Sequence, residues 1–173
     1  MLKRAALVIV AALVVGQAIR PNRTNPPVDP TQTLAATLHP PATIMANLDR
    51  GCRDCHSSDT VWPWYTSVSP LSWWIVHHVD EGRREVSFSE WGTLDVRRQF
   101  KKLGDICEQV EKGDMPIESY LLIHREARLD DEERRQICDW TKSEQTKLGP
   151  LPPPSPEELS RRGRQGRRRW IRS

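Results

Sequence analysis

Apolar residues run unbroken from Ala5 to Val15, directly behind Lys3 and Arg4. No polar position in the run marks a solvent-facing side, which disfavours a buried helix of a cytosolic domain. A positive start, an apolar stretch and the small-x-small triplet Gly16-Gln17-Ala18 have the layout of a secretory signal. Counted to Ile19, the segment falls short of the roughly 17–25 residues that cross a bilayer. A cleaved peptide and a signal anchor stretched by snorkelling of Lys3, Arg4 and Arg20 therefore both remain open. Either one leaves the positive end in the cytoplasm and exports the rest.

Further along, the apolar pattern takes a helical period. Leu71, Trp74, Ile75, His78 and Val79 share one face, and Ser69-Pro70 supplies a cap and a first-turn proline, which predicts a helix to about residue 85 with that face inward. Ser89 reads as the cap of a second helix, 90 to 112, with Phe100, Leu103, Ile106, Cys107 and Val110 inward and Arg97, Arg98, Lys101 and Lys102 solvated. Gly113 stops it. Pro116 opens a short helix to about residue 127, and Asp130 with Glu133 three positions on forms a capping box for a last helix to about residue 147, carrying Ile137, Cys138 and Trp140. No alternating pattern of useful length marks a strand, so the expected fold is all-α, a small helical domain.

Two stretches lack such periodicity. Residues 20–41 hold Pro21, Pro26, Pro27, Pro30, Pro40 and Pro41, which makes regular structure unfavourable and reads as a tether. From Gly149 the chain is rich in Pro and then Arg, with Trp170 near the end, and reads as a disordered tail. The expected division is 1–19 signal peptide or anchor, 20–41 tether, 42–148 folded domain and 149–173 tail.

Composition sharpens this picture. The 173 residues carry a net charge of +3, too little to mark a nucleic-acid binder by itself. The charge is also segregated. Residues 1–44 sum to +3 and 149–173 to +5, while 45–148 sum to −5. The folded region is thus acidic between basic ends; the tail reads first as solvated, with anionic lipid headgroups or an acidic partner as alternatives, and export disfavours nucleic acid. The chain has 7 Trp against 2 Tyr, and six of those Trp fall in the acidic region, a concentration of large flat side chains.

The chemistry lies at Cys52-Arg53-Asp54-Cys55-His56, a Cys-x-x-Cys-His. This spacing places two thiols to form thioethers with the vinyl groups of a haem and the adjacent imidazole to serve as the proximal iron ligand. Covalent haem c, one per chain, is made outside the cytoplasm, where the N-terminal signal independently sends the protein. A thioredoxin-like redox pair would need a buried strand before the first Cys, and 47–51 offers none. A zinc site would need a second ligand pair, whereas Cys107 and Cys138 stand far apart. A disulfide within 52–55 closes too short a loop. Cys107 and Cys138 lie on stripes of two different helices, where they suit either a disulfide or two buried thiols.

Haem needs apolar walls, for which Trp62, Trp64, Tyr65 and Trp74 are candidates, an ordinary aromatic core being the plainer alternative. Met115 sits in the corner Gly113-Asp114-Met115-Pro116 and is the candidate distal ligand, with gap-filling core packing as its alternative. His78 points inward, as a core or haem-propionate contact. His77 and His39 read as solvated, and His124 is a weaker ligand candidate.

The strings Cys52 to Ser57, Thr60-Val-Trp-Pro-Trp-Tyr65, Pro70-Leu-Ser-Trp73, His78-Val79, Gly82-Arg83, Phe88-Ser-Glu-Trp91, Gly113 to Pro116, Tyr120 and His124 resemble the bacterial haem-binding domain family, a relative of c-type cytochromes. The resemblance spans about 42–146, with Ser87 where the family pattern usually has Asn. It implies covalent haem, export and tethering to the inner membrane on the periplasmic side. On these grounds the expected protein is a monohaem c-type cytochrome that exchanges electrons with redox partner proteins, a carrier more than a catalyst. The alternatives are a five-coordinate haem enzyme or sensor of peroxidase type, with His78 or Arg83 at the distal face, and a structural haem module of a membrane redox assembly.

Overall fold

The computed structural model describes residues 1–151. The expected tail, Trp170 included, lies outside the described residues except for 149–151. The described residues form α-helices joined by short 3₁₀ turns and contain no strand, in agreement with the all-α expectation.

Helix α1, Leu2–Gly16, contains the apolar run, and the side chains of residues 5–15 are exposed. Among the described residues no helix is long and apolar enough to cross a membrane. The segment expected as a tether is partly built into the fold. A 3₁₀ turn at Pro30–Gln32 leads into α2, Leu34–Leu38, whose cap Thr33 accepts from the Ala36 N–H. Leu34 is buried in the core, and its N–H donates to the Phe88 carbonyl at 2.7 Å. Proline density therefore misled the boundary: the prolines flank the helix and do not interrupt it.

Helix α3, Ala42–Gly51, buries Ile44 and Leu48 and runs into α4, Arg53–His56, the short turn that carries the Cys-x-x-Cys-His. Helix α5, Leu71–Glu85, starts one residue later than a Ser69 cap would give, with Pro70 as its N-cap. Ser69 Oγ instead meets Ser72 Oγ at 3.1 Å. The core side of α5 is Ser72, Val76 and Val79; the predicted inward stripe of Leu71, Trp74, Ile75 and His78 lines an aromatic cavity.

Helix α6, Val96–Lys112, begins later than predicted. Its cap is Asp95, which accepts from the Arg98 N–H at 2.8 Å, and a 3₁₀ turn at Trp91–Thr93 precedes it. Ser89 is occupied elsewhere, since its Oγ accepts from the Ser58 N–H at 2.8 Å. Leu103, Cys107 and Val110 are buried as the stripe predicts, and Gly113 closes the helix at φ 77°, a left-handed value that favours glycine. The helix expected over 116–127 breaks into α7, Glu118–Leu121, and a 3₁₀ turn at Arg125–Ala127. Helix α8, Asp131–Leu148, has the predicted capping box of Asp130 and Glu133.

The most extensive packing is of α6 on α8, where a disulfide joins Cys107 to Cys138. Leu34, Leu48, Trp91, Leu103, Leu129, Ile137 and Trp140 gather α2, α3, α6 and α8 around one core. This core fixes α3, and with it the turn α4 at its end.

Candidate functional site

Helix α4 is held against α5 by a close backbone approach. At Gly82 a Cβ would stand 2.5 Å from the Cys55 carbonyl oxygen and 3.1 Å from its carbon, so only glycine fits. This approach brings the His56 ring to the C-terminal end of α5. His56 Nδ1 lies 3.0 Å from the Gly82 carbonyl oxygen and 3.1 Å from that of Val86, both acceptors, which fixes the proton on Nδ1. Nε2 has no hydrogen-bond partner among the described residues. The ring stacks on Phe88 at 5.9 Å, and the His56 carbonyl accepts from the Phe88 N–H at 2.6 Å. Burial holds its pKa below the usual imidazole value, outweighing the two carbonyls, so the ring is neutral near pH 7 and able to act as a ligand.

His56 lies in the wall of two adjoining cavities of about 300 and 540 Å³. Cys52 lines the smaller, Cys55 the larger, and Met115 lines both. The four residues expected to hold the haem and its iron thus all line this pair of cavities. Cys52 and Cys55 are free thiols. Burial pushes the Cys52 thiol up to about 12 and the Cys55 thiol up to about 11. A catalytic redox Cys-x-x-Cys depends on a lowered thiol pKa, the opposite shift. Met115 follows the left-handed Gly113, and its N–H and that of Asp114 both donate to the Gln109 carbonyl, at 3.2 and 3.0 Å.

A third cavity, of about 80 Å³, shares Cys55, His78 and Tyr120 with the larger one and is lined by Trp62, Tyr65 and Trp74. Tyr120 donates to Asp54 Oδ2 at 2.9 Å, tying α7 to the middle of the motif. Burial, reinforced by the Asp54 carboxylate, keeps its hydroxyl far above the ordinary phenol range. His124 is not free to ligate: its Nε2 pairs with the Tyr65 hydroxyl at 2.7 Å, its Nδ1 with Glu126 at 3.3 Å, and it stacks on Tyr120 at 4.2 Å. His78 sits 4.4 Å from the Trp74 ring in the wall between the larger and the aromatic cavity. His77 and His39 are exposed, as expected.

Two expected cofactor contacts are absent from these walls. Trp64 is 79% exposed, because the 3₁₀ turn Trp64–Ser67 directs it outward. Arg83 is spent within the fold: Nε donates to the Ser57 carbonyl at 2.8 Å, Nη1 to the Thr24 carbonyl at 3.4 Å, and Nη2 to Thr60 Oγ1 at 2.8 Å and Asn25 Oδ1 at 2.9 Å. It braces the loop after the motif and offers no free guanidinium to a ligand. Lys102, expected in solvent, lines the smaller cavity beside Glu85 and Asp105, at 3.5 and 3.8 Å from their carboxylates.

Sequence reasoning missed the carbonyls of Gly82 and Val86, the wall of Ile106, Gln109 and Val110, and Lys102 as a lining residue. One signal was available for the first of these, since a glycine inside a predicted helix marks a close approach.

A family model described as a haem-binding domain matches residues 11–143, a span that takes in the whole of the segment 20–41. No curated protein and no solved structure gives a match.

Proposed function

The chain belongs to the haem-binding domain family, and from that premise we propose that it is a monohaem c-type cytochrome that carries electrons on the periplasmic side of the inner membrane. The observation that supports this most is the setting of His56. Both carbonyls engage Nδ1, while Cys52, Cys55 and Met115 line the cavities that His56 borders. An imidazole oriented through its other nitrogen by backbone carbonyls is what a metal ligand needs. The donor set fits a haem: Cys52 and Cys55 would hold it as thioethers, with His56 as proximal and Met115 as distal ligand. When bound, the haem supplies one-electron chemistry at its iron.

The chain's own side chains do the rest. Val86, Phe88, Ile106 and Val110 exclude water from the smaller cavity, and Lys102 and Arg84 put cations on the cavity walls for the haem carboxylates. With His56 and Met115 both engaged, the iron would have no open position for a substrate, which favours a carrier over a catalyst. His78 shares a cavity wall with Met115 and is the group that a five-coordinate enzyme or sensor would use. Tethering would be through α1, whose shortness is met by snorkelling of Lys3, Arg4 and Arg20 and local thinning of the bilayer.

Oxidised absorption spectra of the haem-loaded protein and of Met115→Ala separate these readings. The carrier predicts low-spin iron with a sulfur-to-iron charge-transfer band in the wild type and loss of that band in the variant. High-spin wild-type iron, or a variant spectrum unchanged from wild type, refutes the Met115 assignment.

A further inference from the structure

Residues 60–79 contain no Asp, Glu, Lys or Arg, within a region that sums to −5. Much of this stretch is at the surface. Trp64 is 79% exposed, and Val61, Val68, Leu71, Trp73 and Trp74 are also exposed. Leu122, 74% exposed, and its neighbour Ile123 extend the patch, since Ile123 shares a cavity wall with Leu71 and Trp74. His56 lines no part of that wall. Contiguous apolar surface of this kind marks an interaction site.

Where α1 ends tells what covers it. Gln17 Nε2 donates to the Ser69 carbonyl at 3.0 Å, and its Oε1 accepts from the Ser69 N–H at 3.0 Å. Trp73 Nε1 donates to the Ile19 carbonyl at 2.8 Å, and Gly16 lies against the Trp73 ring. The end of the exposed apolar helix is therefore stapled to the start of α5, directly beside the exposed Trp73 and Trp74. Arg20 and Arg23 stand at the junction, Arg23 bonded to Ser67 Oγ at 2.5 Å. The make-up of the patch separates lipid from protein. A redox partner steered to an acidic domain would meet charge, whereas an uncharged surface of Trp with flanking Arg is what the headgroup level of a bilayer accommodates.

We propose that the surface of Trp64, Leu71, Trp73, Trp74, Leu122 and Ile123 rests in the headgroup interface of the bilayer that α1 enters, holding the haem cavities at a fixed height and orientation. This rests on the tether reading. The test uses the full haem-loaded chain in phosphatidylethanolamine/phosphatidylglycerol vesicles doped with a phospholipid that carries a photoactivated diazirine near its glycerol backbone. Flotation reports binding, and mass spectrometry maps the adducts. The expected result is flotation with adducts on 61–74 and 122–123 as well as on α1. Flotation with adducts confined to α1 overturns the surface and leaves the tether standing. A chain that does not float overturns both.

Discussion

Gly82→Ala destabilises the protein by about 3 kcal/mol, the upper range for forcing an extra methyl group into a packed interface. The expectation rests on what the methyl group would meet: the Cys55 carbonyl oxygen at 2.5 Å and the Cys55 Cβ at 3.2 Å. Two of the three nearest atoms belong to backbone, which cannot rotate away, so α4 and α5 must separate. The same separation releases His56, since the Gly82 carbonyl holds its Nδ1. Urea unfolding followed by far-ultraviolet circular dichroism measures the loss, and the haem-loaded variant should show a disturbed axial-ligand spectrum alongside it. Gly104→Ala is the control. Its Cβ would meet only the amide end of Gln145, at 3.1 Å, and in the middle of α6 the gain in helix propensity offsets the crowding. Its stability should stay within about 1 kcal/mol of wild type. Equal losses in both variants would mean that the α4–α5 approach is not special.

Cys107→Ala/Cys138→Ala costs about 3–4 kcal/mol, the loop-closure value for a cross-link spanning 31 residues. The bond joins α6 and α8, the pair with the most extensive packing, so its loss loosens the core that carries α3 and the motif. A thiol reductant gives an independent check. It should lower the urea midpoint of the wild type by the same amount and leave the double variant unchanged. A midpoint insensitive to both treatments would show that the cross-link adds nothing to the folded state.

Local signals in the sequence were the readable ones. The capping box at Asp130 and Glu133, the left-handed Gly113 and the stripe of Leu103, Cys107 and Val110 each depend on residues within a turn or two of one another, and each stands where the pattern puts it. Periodicity was less informative on α5. It identified an apolar face, yet the deeply buried side includes Ser72, which reads as polar, and the apolar face borders a cavity. A helical pattern reports that a face is covered or lines something, without saying which. Leu34 was hidden for another reason. It follows a short run of Pro, Thr and Gln, and it packs with Phe88, which lies far along the chain.

The candidate site divides in the same way. Cys52, Cys55 and His56 could be picked out as candidates because the proposed attachment chemistry demands adjacency, and Met115 because a Gly and a Pro frame it. What holds His56 in place, the carbonyls of Gly82 and Val86, has no side-chain signature at all. Trp64 looked like a cofactor contact on proximity to His56 in sequence, and Arg83 through the family resemblance and as a distal-face group of the peroxidase-type alternative. A 3₁₀ turn directs the first outward, and four acceptors, the Ser57 and Thr24 carbonyls, Thr60 Oγ1 and Asn25 Oδ1, take up the second.

Covalent attachment is the central claim, and one measurement bears on it most directly. The full chain is expressed in a host with a haem-maturation system, denatured in acid and weighed by mass spectrometry, beside Cys52→Ala/Cys55→Ala. The account predicts a wild-type mass equal to the polypeptide plus one haem and a variant mass equal to the polypeptide alone. A wild-type protein at the bare polypeptide mass, from a host that loads a control c-type cytochrome, would contradict it.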